Sequence, residues 1–389
     1  MKKINTNLVA FTGGGTAGHI YPGLAVADEL KQLAAKNGIS LDVEWIGCSK
    51  GMDRKIVESS KGSDSNQLCR NFYGIPSGKL RRYFSLKNFS DLFRILGGFF
   101  AAFHILRKTK PAVLFSKGGF VSVPPCVAAH LLKIPVFIHE CDFTLGLANR
   151  INFRFADKML VSYEDTKNNL SEVSQKKVLV TGNPVRPVFY NAKAEAGLEF
   201  LGIKKSENSK PILLVLGGSS GAKQINELVQ QNIDFLCEKF IVVHQTGLVN
   251  TDGKVSSELK DKYPDYHPFD FIYSQMPDVL ACADVVLSRS GANSLWEVAV
   301  LSKPLVLIPL CGSGTRGDQV DNAEFFKERG AAKILVGTEA TNENLCSALN
   351  EFLDTKIRSE YSDNLRIVVG EGKRPSEKIA ELIFEKIGY

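Results

Sequence analysis

The sequence predicts an α/β protein of two doubly wound domains, each built on a parallel sheet, that face each other across a cleft. A strand, a glycine-rich turn and a helix occupy residues 8–38, and the same order of elements starts again at Pro211. Strands and helices alternate through both halves, which favours parallel sheets. The length of 389 residues supports two domains, because it exceeds what one hydrophobic core comfortably serves.

The first glycine-rich turn lies at residues 12–19, after the apolar, β-prone run 8–11. Pro22 opens the helix that follows, and Gly38 closes it. Glycines let the backbone approach a ligand closely, and the start of the next helix presents N–H groups and a partial positive charge. We therefore expect an anionic, phosphate-bearing ligand near this turn. His19 leaves the turn towards the same space.

The same turn matches the dinucleotide pattern G-x-G-x-x-G through Gly13, Gly15 and Gly18. A nicotinamide site also needs an acidic residue at the end of the second strand, and Glu44 lies too early in that strand. This argues against a dinucleotide. A purely structural turn, in which His19 only caps, is the other alternative.

Composition is that of an ordinary globular protein, with 44% hydrophobic and 23% charged residues and a net charge of +6. The eight cysteines form no C-x-x-C pair, which excludes the familiar zinc and redox spacings and fits reduced thiols in a cytosol. The N-terminus lacks the apolar core of a signal peptide, and no apolar stretch approaches the ~20 residues of a membrane span. We expect a cytoplasmic protein.

Residues 72–84 interleave aromatic, aliphatic and basic side chains, and residues 79–110 carry eight Lys or Arg against the single acid Asp91. Such a mixture suits the headgroup region of an anionic membrane leaflet. We expect residues 72–84 to contact a membrane, through the cations Lys79, Arg81 and Arg82 among others. Nucleic acid is not expected as a partner, because no nucleic-acid-binding motif accompanies the charge.

The helix that follows this basic segment carries apolar residues at helical spacing. We expect that face to pack in the core rather than to meet the membrane. Its residues are Phe93, Leu96, Phe100 and His104.

Glycine or polar clusters follow three strands of the first half, at residues 116–120, 139–142 and 182–186. Ligands of open α/β sheets bind beyond the carboxyl ends of strands, so we expect the cleft at this edge. Further strands are predicted at residues 112–115, 134–138, 178–181, 212–216, 240–244, 269–272, 285–287 and 305–308.

In the second half, residues 288–292 form another glycine turn between a strand and a helix, again suited to an anion. Asn293 and Glu297 lie one turn apart on one face of that helix. A carboxylate there can accept two hydroxyl hydrogen bonds, as a ribose diol offers, so we expect Glu297 to hold a ribose. The alternative is a solvent-facing glutamate. Gln319 and Asn322 lie one turn apart on the next helix.

Seven motifs follow one another along the chain. They are Gly-Gly-Thr-Ala-Gly-His at 14–19, Lys-Gly-Gly-Phe at 117–120, His-Glu-Cys-Asp at 139–142, Gly-Asn-Pro-Val-Arg at 182–186, Gly-Gly-Ser-Ser-Gly-Ala at 217–222, Ser-Arg-Ser-Gly-Ala at 288–292 and Asp-Gln-Val-Asp-Asn-Ala at 318–323. Together they closely resemble the MurG-type transferases of peptidoglycan synthesis, over nearly the whole chain.

The resemblance implies the GT-B glycosyltransferase fold. It implies an acceptor- and membrane-facing domain at 1–185, a UDP-sugar domain at 186–364, and a C-terminal helical segment at 365–389 that returns to the first domain. The implied reaction is an inverting transfer of N-acetylglucosamine from UDP-N-acetylglucosamine to lipid I, making lipid II. The implied location is the anionic inner face of the cytoplasmic membrane, and other cell-wall enzymes are candidate partners.

The resemblance also assigns site residues by position. His19 is the catalytic base. The donor-binding residues are Thr16, Ala17, Gly18, Asp142, Arg186, Ser219, Ile272, Ala292, Asn293, Glu297 and Gln319. The acceptor and membrane residues are Gly118, Gly119 and Phe120 with Lys79, Arg81 and Arg82.

Three positions depart from the family pattern. Ala17 stands where a second Gly is usual, so this position must accept a negative φ. Phe120 replaces a frequent Tyr and so lacks its hydroxyl. Asp142 replaces a frequent Asn and brings a negative charge towards a phosphate-bearing ligand.

An inverting transfer needs a base on the acceptor hydroxyl and stabilisation of the leaving pyrophosphate. The sequence has no Asp-x-Asp pair to hold a metal ion. We therefore expect no required cofactor and no protein metal site, with helix N-termini and Arg186 supplying the electrostatics. Assistance by a divalent cation stays open.

Three alternative functions stay open. A UDP-N-acetylglucosamine epimerase of related fold would need no basic, apolar membrane segment. A nicotinamide oxidoreductase would change cofactor absorbance, and a non-catalytic subunit would bind UDP-sugar without turnover.

Overall fold

The computed structural model describes residues 5–78, 86–206, 209–218, 221–248, 253–312 and 315–388. The chain forms two compact units. Unit 1 comprises Met1–Arg186 with Gly372–Tyr389, and unit 2 comprises Pro187–Glu371. Each contains one parallel sheet flanked by helices, so the predicted pair of doubly wound domains is confirmed.

The sheet of unit 1 has seven strands. They are β1 Asn5–Thr12, β2 Asp42–Cys48, β3 Asn71–Ile75, β4 Pro111–Ser116, β5 Val136–Glu140, β6 Lys158–Val161 and β7 Val178–Val180. Their order is β3-β2-β1-β4-β5-β6-β7, with every neighbouring pair parallel. The chain therefore winds outward from β1 in both directions, which places the end of β1 beside the end of β4.

The helices of unit 1 cover both faces of this sheet. They are α1 Tyr21–Lys36, α2 Asp53–Ser59, α3 Leu86–Thr109, α4 Val123–Leu131, α5 Leu147–Asn152, α6 Glu164–Asn168 and α7 Glu172–Gln175. In α1, Pro22 lies in the first turn, and Gly38 adopts a φ of 71° just beyond the end, as the sequence indicates.

The sheet of unit 2 has six strands, ordered β10-β9-β8-β11-β12-β13 and parallel throughout. They are β8 Ile212–Leu216, β9 Ile241–Gln245, β10 Tyr266–Phe269, β11 Val285–Ser288, β12 Leu305–Leu307 and β13 Ala332–Ile334. Its helices are α8 Pro187–Tyr190, α9 Ala194–Leu201, α10 Lys223–Gln231, α11 Ile233–Lys239, α12 Gly253–Lys262, α13 Met276–Cys282, α14 Ala292–Ala299, α15 Asp318–Glu328, α16 Asn342–Glu351 and α17 Thr355–Val369.

The last helix, α18 (Pro375–Lys386), belongs to unit 1 and packs against α1. Ile379, Ile383 and Phe384 lie in the same buried cluster as the apolar face of α1. Arg374, just before α18, forms a 2.9 Å ion pair with Glu29 of α1. Burial raises the pKa of Glu29, and Arg374 opposes that rise.

The predicted buried face of the third helix is wrong. Phe93 is 60% exposed, Phe100 is 67% exposed, and Leu96 is also exposed. The face of α3 that packs inward instead carries Ala102 and Leu106. Spacing identifies an apolar stripe, but α3 has two such stripes, and spacing alone does not tell which one meets the sheet. Within the described ranges, no helix combines the length and hydrophobicity that crossing a membrane demands.

Candidate active site

The glycine-rich turn after β1 is held from two sides by the neighbouring strand and helix. Trp45 of β2 donates its indole N–H to the carbonyl of Gly13 at 3.0 Å. The N–H of Gly15 points to the carboxylate of Asp53, at 3.0 and 3.2 Å from its two oxygens. Gly15 has a φ of 81°, and a Cβ there would lie 2.4 Å from the Phe120 ring. Both conformation and space therefore require glycine at position 15.

This turn meets the second glycine turn, which follows β4. The N–H of Lys117 donates to the carbonyl of Thr12 at 2.9 Å. Gly119 has a φ of 80°, and a Cβ there would lie 2.5 Å from the Gly14 oxygen and 2.9 Å from Cδ2 of His19. The half-buried His19 ring thus lies directly against Gly119. Of the predicted site residues, the structure brings together His19, Gly118, Gly119 and Phe120.

Thr16, Ala17 and Gly18 link this turn to α1. Thr16 is exposed, and residues 17–19 form one short 3-10 turn. Ala17 keeps a negative φ, as its side chain requires.

A buried glutamate shapes the loop after β5. One oxygen of Glu140 accepts the N–H groups of Cys141 and Asp142 at 2.9 and 3.1 Å. The other accepts from the N–H of Gly146 and the side-chain amide of Asn149 at 2.9 and 3.1 Å. Burial, and then the neighbouring Asp142, raise the pKa of Glu140. These four donors fix the loop that presents the half-buried Asp142.

The same loop contains a group whose ligand atoms lie within 4.8 Å of one another: Glu140, Cys141 and Asp142. Because both oxygens of Glu140 already accept N–H groups, this carboxylate acts as a loop anchor and is poorly placed to ligate a metal ion.

A buried lysine joins three strand ends of unit 1. Lys117 is 1% exposed, and its ammonium donates to Nδ1 of His139 at 2.9 Å and to Oδ1 of Asn183 at 3.3 Å. Burial lowers the pKa of His139 well below its usual range, and the charge of Lys117 lowers it further. The neutral ring therefore donates from Nε2 to the carbonyl of Gly182 at 2.9 Å.

The connector fixed in this way carries Arg186. Its guanidinium lies over the ring of Tyr21, 4.8 Å from the ring centre, at the first residue of α1. Arg186 is thus part of unit 1, although the predicted boundary assigned it to the second domain.

In unit 2, the turn after β11 is braced by a cation. Arg289 donates from one nitrogen to Gln224 at 3.0 Å and to the carbonyls of Ile308 and Pro309 at 2.8 and 3.3 Å. Burial lowers the pKa of Arg289. These bonds join the turn to α10 and to the residues that directly follow β12.

The same turn is bonded to the start of α15. The buried Ser290 hydroxyl donates to the carbonyl of Gln319 at 2.7 Å, and the Asn322 amide donates to the carbonyl of Ser290 at 3.2 Å. The side chain of Gln319 accepts the N–H of Leu310 at 2.9 Å. Gln319 thus ties the loop after β12 to the turn after β11.

The helix α14 carries three predicted donor-binding residues. Ala292 is buried at its first position, while Asn293 and Glu297 are half-buried one turn apart. Their neighbours Leu295 and Trp296 are buried, which turns the Asn293–Glu297 face away from the core.

Ile272 lies in the loop after β10, and its N–H donates to the Gln245 side chain at 2.9 Å. In β9, the strand beside β10, the buried His244 ring forms hydrogen bonds with the Tyr266 hydroxyl at 2.9 Å and with Oδ1 of Asn226 at 3.1 Å. Burial lowers the pKa of His244 to about 4. The ring is therefore neutral and structural.

All the predicted site residues that the structure describes follow the carboxyl ends of strands, where open α/β sheets bind ligands. In unit 1 they follow β1, β4, β5 and β7, and in unit 2 they follow β10, β11 and β12. Ser219, Lys79, Arg81 and Arg82 lie outside the described residues. Sequence reasoning missed the roles of Asp53, Lys117 and Glu140. Distant segments supply the contacts of Asp53 with Gly15 and of Lys117 with His139 and Asn183, whereas those of Glu140 lie within its own loop.

Comparison with family models matches both halves of the chain. Residues 9–161 match the glycosyltransferase family 28 N-terminal domain, and residues 212–373 match the glycosyltransferase family 28 C-terminal domain.

Curated relatives of the chain include proteins named UDP-N-acetylglucosamine–N-acetylmuramyl-(pentapeptide) pyrophosphoryl-undecaprenol N-acetylglucosamine transferase. The protein of Treponema denticola is 50% identical over 388 residues, covering 96% of each chain. One from Bacillus cereus, numbered 2, is 40% identical over 351 residues, covering 90% of this chain and 91% of its own.

Among solved structures, Acinetobacter baumannii MurG matches with a TM-score of 0.71 at 24% identity, covering 97% of this chain and 99% of its own. The UDP-GlcNAc 2-epimerase of Neisseria meningitidis, bound to UDP-GlcNAc, matches with a TM-score of 0.63 at 17% identity, covering 97% and 98%. At these identities both likenesses concern the fold alone.

Proposed function

Because the chain belongs to glycosyltransferase family 28, we infer that it transfers N-acetylglucosamine from UDP-N-acetylglucosamine to the undecaprenyl-linked acceptor lipid I, forming lipid II for peptidoglycan. The observation that carries this function is 50% identity, over 96% of both chains, to a relative named for that transfer. The epimerase alternative has weaker support, because its structural match at 17% identity extends only to the fold.

We propose that His19 is the general base of this transfer. The base takes the proton of the acceptor hydroxyl as that oxygen bonds to the anomeric carbon and UDP departs with the electrons of the broken bond. Imidazole is suited to this near neutral pH. His19 ends the first glycine turn and lies against Gly119, so two close-packed backbone turns fix the direction of its ring.

We propose that the donor is held chiefly by unit 2. Its pyrophosphate would face the start of α14, whose free N–H groups and partial positive charge follow the turn that contains Arg289. Its ribose would bond Glu297, one turn further along the same helix. Ile272 and Gln319 border this edge of the sheet after β10 and β12.

We propose that α3 docks unit 1 on the anionic membrane that holds the lipid acceptor. Phe93, Leu96 and Phe100 form an exposed apolar stripe, and the exposed Arg107 and Lys108 follow it along the helix. Apolar side chains flanked by cations favour the headgroup boundary of an anionic leaflet. Lys79, Arg81 and Arg82 would add to this charge.

The transfer is tested by giving the purified chain labelled UDP-N-acetylglucosamine with and without a lipid I analogue. We expect the label in a lipid II product, with UDP released only when the acceptor is present. Formation of the 2-epimer without acceptor would establish the epimerase alternative. Binding of the donor without any turnover would contradict both enzymes and favour a non-catalytic subunit.

A further inference from the structure

A fully buried carboxylate lies directly beneath the first glycine turn. Asp53, the first residue of α2, is 0% exposed. It accepts the N–H of Gly15, 38 residues away in sequence, and also the N–H of Cys48 at 2.8 Å. Burial raises its pKa, and the two backbone bonds oppose that rise. Burial of a carboxyl group costs free energy unless hydrogen bonds replace its hydration, and the N–H groups of Gly15 and Cys48 supply such bonds here.

The carboxylate also limits the space above it. A Cβ on Gly14 would lie 1.8 Å from Oδ2 of Asp53. The Gly14 carbonyl in turn lies against Gly119, whose α-carbon packs on the His19 ring. A shift of Gly14 or Gly15 would therefore move the surface against which His19 packs.

Trp45 and Asp53 hold the turn through hydrogen bonds of opposite direction, Trp45 as a donor and Asp53 as an acceptor. The indole N–H holds the carbonyl of Gly13, and the carboxylate holds the N–H of Gly15, so Gly14 is fixed between them. A phosphate of a dinucleotide would need that same Gly15 N–H and would meet a carboxylate beside it. The position of Asp53 thus adds a second argument against a nicotinamide site, beside the early position of Glu44.

We propose that Asp53 is a positioning residue for glycosyl transfer, which fixes the first glycine turn and through it the ring of His19. This proposal rests on the transferase function and on His19 as its base. Asp53 itself stays inside the protein and touches neither substrate.

The first test replaces one acceptor oxygen by an amide donor, in Asp53→Asn. We expect kcat to fall by roughly 10²-fold, the usual cost of misplacing a catalytic group by about 1 Å. The KM for UDP-N-acetylglucosamine should stay near that of the wild type. The amide proton of Gly15 should shift upfield in NMR spectra of glycine-labelled protein, because it loses its bond to an anion.

Asp28→Asn is the matched control. Asp28 is also a buried carboxylate of unit 1 that accepts a backbone N–H, that of Ser63 at 2.8 Å, but it lies away from the glycine turn. We expect this variant to change stability without lowering kcat. Equal kcat values for the two variants would overturn the proposal.

A double variant separates positioning from space filling and covers the case in which Asp53→Asn does not fold. In Asp53→Ala with Gly14→Ala, the new methyl group occupies space that the carboxylate leaves, and Gly14 has no positive φ to forbid alanine. We expect the double variant to regain stability over Asp53→Ala while kcat stays low. Recovery of kcat together with stability would show that Asp53 only fills space. If the wild type itself makes no lipid II, the transferase function fails and not this inference alone.

Discussion

The two glycine turns that open a helix, residues 13–18 in unit 1 and residues 288–292 in unit 2, have similar sequence patterns and opposite supports. The first is held by the Asp53 carboxylate, which takes a backbone N–H. The second is held by the Arg289 guanidinium, which donates to backbone oxygens. The turn of unit 1 is therefore held by a negatively charged hydrogen-bond acceptor, and the turn of unit 2 by a positively charged donor.

This difference teaches that a glycine turn before a helix is not by itself an anion site. Both turns offer N–H groups at the start of a helix, but the charged side chain that holds each turn differs in sign, and we expect that sign to influence which ligand the turn favours. In unit 2 the half-buried Arg289 belongs to the turn itself, and we propose that this turn faces the pyrophosphate. In unit 1 the Asp53 carboxylate lies beneath the turn, and we propose that this turn serves mainly to place His19, while the phosphate contact expected at residues 16–18 stays a prediction.

The sharpest test of this division is His19→Ala. Loss of a general base should lower kcat by ~10²–10⁴-fold. UDP affinity should hardly change, because the donor is proposed to be held chiefly by unit 2. Steady-state kinetics and UDP calorimetry on the folded variant measure both, and turnover like that of the wild type would remove the role of His19.

The proposed membrane role belongs to α3 of unit 1. Phe93→Ser with Phe100→Ser should weaken binding to anionic vesicles by roughly 10²–10⁴-fold, since each ring contributes about 1.5–3 kcal/mol when it leaves water. Turnover on a soluble acceptor should not change. Ile367→Ser, at an equally exposed position of unit 2, is the control. Co-sedimentation with vesicles measures the binding. Equal binding by the wild type, the double variant and Ile367→Ser would contradict docking through α3.

Buried histidines differ between the units, since His139 faces Lys117 whereas His244 faces a phenol and an amide. The folded pKa of His244 is about 4, below the ordinary 6.5 of an unfolded imidazole. The unfolded chain thus binds this proton first, and the free energy of unfolding should fall by about 3 kcal/mol as pH drops from 6.5 to 4.

Denaturant unfolding at several pH values measures this slope. His244→Gln should flatten it, and the exposed His104→Gln should not. An equal slope in all three proteins would show that His244 is not its source.

Glu297→Ala tests the ribose contact of unit 2. A charge-assisted hydrogen bond to a hydroxyl contributes roughly 1.5–3 kcal/mol, so the donor KM should rise by about tenfold or more. Glu297→Gln keeps one acceptor oxygen, so its donor KM should lie between those of the wild type and Glu297→Ala. Calorimetry with UDP alone is the readout, and unchanged affinity in Glu297→Ala would mean that the carboxylate faces solvent.

The smallest effect is expected from chelators. If Arg289 and the start of α14 stabilise the leaving pyrophosphate, removal of divalent ions should not abolish transfer. Assays in chelator, followed by addition of Mg²⁺, measure this. Complete loss of turnover that Mg²⁺ restores would reveal a ligand set that sequence and structure both left unnoticed.

The sequence predicted much of this arrangement, because glycine turns and strand ends are local signals. It placed His19 and Phe120 at strand ends, which the structure brings together. It predicted a strand at residues 269–272, whereas β10 is Tyr266–Phe269. Pro268 is untypical of a strand, so the sequence pattern did not indicate β10. The sheet tolerates the missing N–H of this proline because β10 is an edge strand.

The remaining features depend on which distant segments meet. Asp53 looks like an ordinary first-turn acid of a short helix until the fold places it under Gly14 and Gly15. The orientation of α3 likewise depends on its packing against α4. The spacing of its apolar residues carries no information about that contact. Sequence patterns thus predicted the edge of each sheet where the predicted site residues lie, but not the side chains that hold the turns there.

The position of α18 has a consequence for how the chain matures on the ribosome. Unit 2 is continuous from Pro187 to Glu371, so all of its strands have been synthesised before α18 exists. Unit 1 begins 186 residues earlier, yet its core includes Ile379, Ile383 and Phe384. The half of the protein that is made first must therefore keep part of its apolar surface uncovered, and open to chaperones, until residues 375–386 emerge and pack on α1.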